Sequence, residues 1–205
     1  MKLVVISGSH RQNSQSCKVA QYIAERAKAL HYQNNVHVID LAVENLPMWD
    51  ESIWQGSREW QVRLEPIHRQ LQEATAFVIV SPEWSGMVPA GLKNFFLLCG
   101  AKELGHKPAL IAAVSAGMGG SYPVNELRTS SYKNTRLCYI PEHLIVRNVE
   151  QVLNSPATAK NLSTDDQYIR DRIDFSVSLL HGYDEALKQV REAHLTDYEK
   201  FPNGM

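Results

Sequence analysis

Three short segments carry residue types and spacings that suit binding chemistry. The first is Ser7-Gly8-Ser9-His10-Arg11-Gln12-Asn13-Ser14-Gln15-Ser16, rich in hydroxyls and running straight into a helical pattern. A helix N-terminus offers unpaired backbone N–H groups and a partial positive charge, so it favours an anion. Ser9, Ser14 and Ser16 can donate to phosphate oxygens, Arg11 adds charge, and Gln15 lies beside them at the helix start. The pattern suits a terminal phosphate monoester. A pyrophosphate usually needs the closer backbone approach of G-x-G-x-x-G, which is absent; so is the nucleoside-triphosphate loop G-x-x-x-x-G-K-[ST]. Taken alone, this loop is explained equally well by serines that cap a helix and a solvated arginine.

The second segment is Ser81-Pro82-Glu83-Trp84-Ser85-Gly86-Met87-Val88-Pro89. Two prolines and a glycine fix an irregular backbone that can turn its N–H groups toward a planar heterocycle, with Trp84 as a flat apolar wall. A rigid turn with Trp84 in the core is the competing explanation. The third segment is Ser115-Ala116-Gly117-Met118-Gly119-Gly120-Ser121, where three glycines in four residues permit positive φ and close approach to a ligand. A flexible turn would read the same way.

These loops need elements to hold them. Leu3-Val4-Val5-Ile6 is a continuous apolar run, as expected of a strand buried on both faces. Val19, Ala20, Ile23, Ala24, Ala27 and Leu30 then recur at helical spacing. Val36–Ile39 reads as a second strand, 41–56 as a long loop, and 57–74 as a helix. Ala76–Val80 is a third strand, followed by an apolar helix over 90–100. Pro108 opens a fourth strand running to Val114, a helix is expected near 123–134, and a fifth strand over 143–149. A long helix over 163–194, capped at Ser163 or Thr164, shows Ile169, Ile173, Val177, Leu180, Tyr183 and Leu187 on one face. Strand–helix alternation implies a doubly wound parallel sheet with helices on both faces, in the flavodoxin-like order 2-1-3-4-5. The order of a dinucleotide-binding Rossmann domain is not excluded by periodicity alone. The three special loops follow strands 1, 3 and 4, the central strands of the flavodoxin-like order. They would share the sheet edge where open α/β proteins bind ligands. One domain is expected over 1–205, with a core at 1–150 and a C-terminal helical extension at 155–205.

Composition narrows the function classes. The 205 residues are 44% hydrophobic and 21% charged, with a net charge of −1, so nothing global attracts nucleic acid or an anionic membrane. No run of about 18 apolar residues suggests a membrane span, and the apolar start of the chain is too short for a signal peptide. Cys17, Cys99 and Cys138 are odd in number and far apart, which suits reduced thiols in a cytoplasmic protein. Eight histidines show no H-x-H, H-x-x-x-H or H-E-x-x-H spacing, so no metal site is expected. His10 in the first loop could touch a ligand there, although a lone loop histidine is more often simply solvated. Neither Asp50-Glu51 nor Asp165-Asp166 suggests acid–base work, because adjacent carboxylates point apart. No G-x-S-x-G elbow is present.

Four stretches resemble the NADPH-dependent FMN reductase family, a flavodoxin-like group that includes azo, quinone and chromate reductases. GSHRQNS (8–14) is similar to its GSxRxxS loop, and PEWSGMVPAGLKN (82–94) to its PEY…P-G-x-LKN segment. SAGMGG (115–120) resembles its strand-4 glycine loop, and NLPMWDES (45–52) its LPxYD stretch. The resemblance covers residues 1 to about 150. It implies non-covalent FMN, with Ser9, Arg11, Ser14, Gln15 and Ser16 at the phosphate. Pro82, Glu83, Trp84, Ser85 and Gly86 would line the flavin ring, and Ser115, Gly117 and Gly120 would flank it. Trp84 stands where the family usually has tyrosine, Met87 where it has serine, and Ala90 where it has glycine.

The implied activity is hydride transfer from NADPH or NADH to bound FMN, then onward to a flavin, quinone or similar small acceptor. The flavin carries that chemistry, which needs no catalytic side chain. The resemblance also implies a homodimer or homotetramer. Trp49, Trp54 and Trp60 surround the loop after strand 2 and suit either a neighbouring subunit or local packing. Two alternatives stay open: a flavodoxin-type electron carrier, against which the net charge of −1 argues, and a flavin-free interaction module.

Overall fold

Burial along the strands reveals their order. Every residue of β1 (Leu3–Ser7), β3 (Ala76–Pro82) and β4 (Pro108–Val114) is buried, whereas β2 (Val36–Asp40) and β5 (Cys138–Val146) are only partly covered. Strands covered on both faces belong in the middle of a parallel sheet, and half-covered ones at its edges. The computed structural model, which describes residues 1–154, 162–193 and 197–204, has this arrangement. The five strands are all parallel in the order β2-β1-β3-β4-β5.

Successive strand side chains alternate between two cores. Leu3, Val5, Val78 and Leu110 face α1 (Gln15–Ala27) and α7 (Thr164–Glu192), meeting Val19, Ile23, Ile173, Val177 and Leu180. Val4, Ile6, Phe77, Ile79 and Ile111 face α3 (Arg58–Glu73), α4 (Ala90–Leu97) and α6 (Ser121–Thr129), meeting Leu71, Leu92, Phe95 and Leu127. The long C-terminal helix is thus a full member of the first core layer. Ser163 caps it by accepting from the Asp166 N–H at 3.1 Å. Residues 155–161, 194–196 and 205 of the expected extension lie outside the described residues. Among the described residues no helix is long and apolar enough to cross a membrane.

Several expected boundaries shift for identifiable reasons. The fifth strand begins at Cys138, five residues before the expected start, and ends at Val146. It is an edge strand, so it tolerates Pro141 and polar side chains that mask its pattern. Asn148 then takes a left-handed φ of 46° and turns the chain back onto the β4 loop, donating its N–H to Gly117 O at 2.9 Å. The expected loop at 41–56 holds a short helix α2 (Leu41–Glu44) and a 3₁₀ turn (Glu51–Ile53). Asp40 and Asp50 start them, accepting from Ala42 N and Ser52 N. The helix expected at 123–134 runs from Ser121 to Thr129. The apolar helix expected to 100 ends at Leu97 and is followed by α5 (Ala101–Leu104).

At the N-terminal edge of the sheet, two buried charges fasten helices to it. Asp184 accepts from Thr75 Oγ1 at 2.7 Å and Arg191 Nη2 at 3.2 Å. The Lys107 ammonium donates to Leu71 O, Gln72 O and Glu103 O at 2.6, 3.1 and 2.8 Å. A positive charge there satisfies carbonyls at the ends of α3 and α5 and opposes their dipoles. Lys107→Met keeps the apolar stem but strands those carbonyls. It is expected to lower unfolding free energy by about 2–3 kcal/mol in a urea titration, and an unchanged midpoint would contradict this role.

Candidate functional site

The first loop leaves β1 through a backbone contact that only glycine permits. Gly8 N donates to Val80 O at 2.8 Å. A Cβ on Gly8 would lie 2.7 Å from Leu92 Cδ2 and 2.7 Å from Val80 O. Ser9 is 1% exposed, and its Oγ accepts from Arg11 N at 3.2 Å. Asn13 takes a left-handed turn with φ 51°, and Ser14 Oγ then caps α1 by accepting from Cys17 N at 3.1 Å. Ser16 is 2% exposed, and the first turn of α1 contains no acid. Three hydroxyls therefore sit at the positive end of a helix whose first amides, Gln15 and Ser16, have no intrahelical acceptor. Arg11 and Gln15 are exposed beside them. Among the described residues Arg11 has no carboxylate within salt-bridge distance. The donor set and missing counter-charge fit a phosphate monoester.

The second loop is a closed reverse turn. Trp84 N donates to Met87 O at 3.1 Å, and Met87 N to Trp84 O at 3.0 Å. Ser85 and Gly86 both have positive φ, at 51° and 72°, as a type I′ turn requires. Glu126 on α6 holds the far side of this loop, accepting from Val88 N at 2.7 Å and pairing with Lys93. Burial works against its charge, yet the Lys93 ammonium and the Val88 N–H hold its pKa below the ordinary glutamate value. Trp84 is half-buried at the surface, outside the core clusters.

Glu83 binds the second loop to the third. Its Oε2 accepts from Gly120 N at 2.6 Å, and a Cβ on Gly119 would sit 2.6 Å from its Oε1. Gly120 itself has φ +110°, and a Cβ there would meet Ile145 Cγ2 at 2.4 Å. Ser115 Oγ accepts from Gly117 N at 3.2 Å, and Gly117 faces open space. These glycines serve two purposes. Gly119 and Gly120 allow close packing inside the protein, while Gly117 leaves the loop surface bare.

His10 joins the first loop to the second. Its ring meets Trp84 edge-on at 4.6 Å with an interplanar angle of 75°, and it lies over Gly91, where a Cβ would be 2.8 Å from Nδ1. His10 is exposed, as expected of a solvated residue, yet packed. All thirteen candidate residues therefore lie in three loops on adjacent strand ends or at their borders, with Gln15 and Ser16 in the first turn of α1 and Pro82 closing β3; His10–Trp84 and Glu83–Gly120 cross-link the three.

Sequence reasoning missed Asn94 as a support. It is buried on α4; its Oδ1 accepts from Trp49 N and its Nδ2 donates to Pro47 O, each at 2.7 Å. That clamps the stretch after β2 against α4. A lone amide within the apolar run AGLKNFFL was the available signal. Met118 within the glycine loop and Tyr122 just after it were not singled out; both are exposed. Trp60 is buried with Leu64 and Leu98, and Trp49 packs against them, whereas Trp54 is 79% exposed. Burial and the Asp40 carboxylate push the Cys17 thiol up to about 11, and burial also raises Cys99 and Cys138. None of the three is a poised thiolate at neutral pH.

A family model for NADPH-dependent FMN reductase matches residues 1–151. The chain belongs to the NADPH-dependent FMN reductase family. It is 32% identical over 131 residues to an NADPH azoreductase from Bacillus sp. (strain OY1-2), covering 63% of this chain and 68% of that enzyme. It is 28% identical over 123 residues to a quinone reductase of Escherichia coli (strain K12), covering 58% of this chain and 63% of that one. Its fold also resembles that of an FMN-dependent NADH-azoreductase from Bacillus anthracis str. Ames Ancestor, solved in complex with FMN. The TM-score is 0.60 at 21% identity, covering 88% of this chain and 99% of that one. The family match ends close to Asn148, where the chain turns back onto the β4 loop, so all three loops fall inside it.

In this family member the first loop depends on Gly8. Gly8→Ala forces apart β3 and α4 at the loop's root and is expected to lower stability by about 1–3 kcal/mol. A thermal melt checks this, and an unshifted midpoint would show that the loop tolerates a side chain there.

Proposed function

We propose that this protein is an NAD(P)H-dependent FMN oxidoreductase that passes reducing equivalents to a flavin, quinone or similar small acceptor. The observation that carries the reading is the convergence of an acid-free serine loop with two glycine-containing loops on the ends of three adjacent strands. The names of the relatives support the same class of activity. When bound, FMN would accept a hydride from the nicotinamide and release electrons to the acceptor.

The residues divide the work of holding it. Ser9, Ser14 and Ser16, the amides of Gln15 and Ser16, and the Arg11 guanidinium would hold the phosphate. Pro82 to Gly86 and Ser115 to Gly120 would hold the ring. Glu83 positions both ring loops through Gly120 and spends its carboxylate there, so it is not assigned an acid–base role. Trp84, backed by His10, would close one side against water. Residues 1–205 are read as one domain, because α7 packs into the same core as α1 and the sheet. The free, partly buried thiols suit a cytoplasmic protein. The exposed apolar side chains Met48, Trp54 and Leu97 suit a homodimer or homotetramer.

Colour and bleaching test the proposal. Protein mixed with FMN and desalted should retain about one flavin per chain, and anaerobic NADPH should bleach it. Colourless protein would refute the flavin site; bound flavin that NADPH leaves oxidised would favour an electron carrier. Ser14→Ala removes a hydroxyl from the phosphate loop and should weaken FMN binding about tenfold or more in a fluorescence titration. Unchanged affinity would mean that Ser14 serves only as a helix cap.

A further inference from the structure

A second concavity adjoins the glycine loop on the side away from β3. It is a cleft of about 250 Å³ between that loop, the chain after β5, and the first turns of α7. Met118, Arg147, Asn148, Ser163, Asp165 and Tyr168 shape it over an apolar floor. The cleft is built onto the site, because the segment after β5 is bonded to the glycine loop. Asn148 N donates to Gly117 O at 2.9 Å and Val149 N to Ser115 O at 3.2 Å.

Arg147 is the informative residue. Its Nε donates to Met118 O at 2.8 Å and Gly119 O at 3.2 Å, which fixes the plane of the guanidinium. Arg26, Arg69, Arg170, Arg172 and Arg191 are each paired with a carboxylate; several other arginines are not, but Arg147 is the arginine that lines this cleft. Arg147 has no carboxylate within salt-bridge distance among the described residues, and 155–161 and 194–196 contain no acid. Its terminal nitrogens thus offer an oriented fork to an anion, the geometry that favours phosphate over a neutral hydroxyl. Opposite it, Tyr168 is 66% exposed on α7, an aromatic face on which a flat base can stack. Asp165 beside it can accept from a base amino group or a ribose hydroxyl.

We infer that this cleft takes the adenosine 2′-phosphate end of NADPH and that Arg147 selects it over NADH. The inference rests on the reading of the chain as a nicotinamide-dependent flavin reductase. A nicotinamide lying over a flavin between the second and third loops would have its other end within a dinucleotide's length of the cleft, since Met118 belongs to both. The cleft requires no chemistry. It contributes binding energy and a preference for one nucleotide.

Calorimetry of the FMN-loaded protein with 2′,5′-ADP and with 5′-AMP tests this directly. The 2′-phosphorylated nucleotide should bind at least tenfold more tightly, and Arg147→Gln should remove that preference. Arg147→Lys, which keeps charge but not the fork, should retain part of it. In turnover, Arg147→Gln should raise KM for NADPH about tenfold more than KM for NADH. Tyr168→Ala should raise both alike. Equal binding of the two nucleotides by the wild type would overturn the inference, as would an equal effect of Arg147→Gln on both coenzymes. Protein that holds FMN but is bleached equally well by NADH and NADPH refutes this inference alone. Protein that neither coenzyme bleaches refutes the underlying reading.

Discussion

The structure depends on burying β1, β3 and β4 on both faces. Parallel strands need crossover connections, and two-sided burial needs a helix layer above and below. Those layers take up the apolar side chains of α1 and α7 on one face and of α3, α4 and α6 on the other. Polar groups are left for the strand ends. The binding chemistry assigned here sits at the carboxyl ends of the same three strands, where the chain must leave the sheet.

That constraint also explains the loops' unusual composition. Each must turn sharply beside closely packed neighbours, so glycine appears where a side chain would strike backbone or a carboxylate, at Gly8 and Gly119. Buried or half-buried polar atoms then need partners. Glu83 finds one in Gly120 N, Asn94 finds two in the stretch after β2, and Glu126 holds the turn at 84–87 through Val88. The hydroxyls of the first loop are placed by the same logic, at a helix start with no acid to neutralise it.

Much of this was legible in the sequence because burial on two faces writes continuous apolar runs. Leu3–Ile6, Ala76–Val80 and Ala109–Val114 are short, apolar throughout and bounded by turn residues, so they read as strands, whereas periodicity alone left a Rossmann order open beside the flavodoxin-like order the sheet has. The edge strand β5 was misplaced because Pro141 and the half-exposed Glu142 interrupt its pattern just before the stretch that was read as strand. The candidate residues were legible as loop composition, but their cross-links were not. His10 against Trp84 and Glu83 against Gly120 are contacts between segments more than 30 residues apart, and nothing local announces them. Asn94 was overlooked for the same reason, since its role lies in what it touches.

The central claim is that three loops distant in sequence form one flavin site. Backbone amide chemical-shift mapping of the isotopically labelled protein during an FMN titration tests it most directly. The account predicts that the largest shifts fall together on residues 8–16, 82–87 and 115–120, saturating at a single affinity. Shifts concentrated elsewhere, for instance along α3 and the 3₁₀ turn, or confined to one of the three loops, would contradict it.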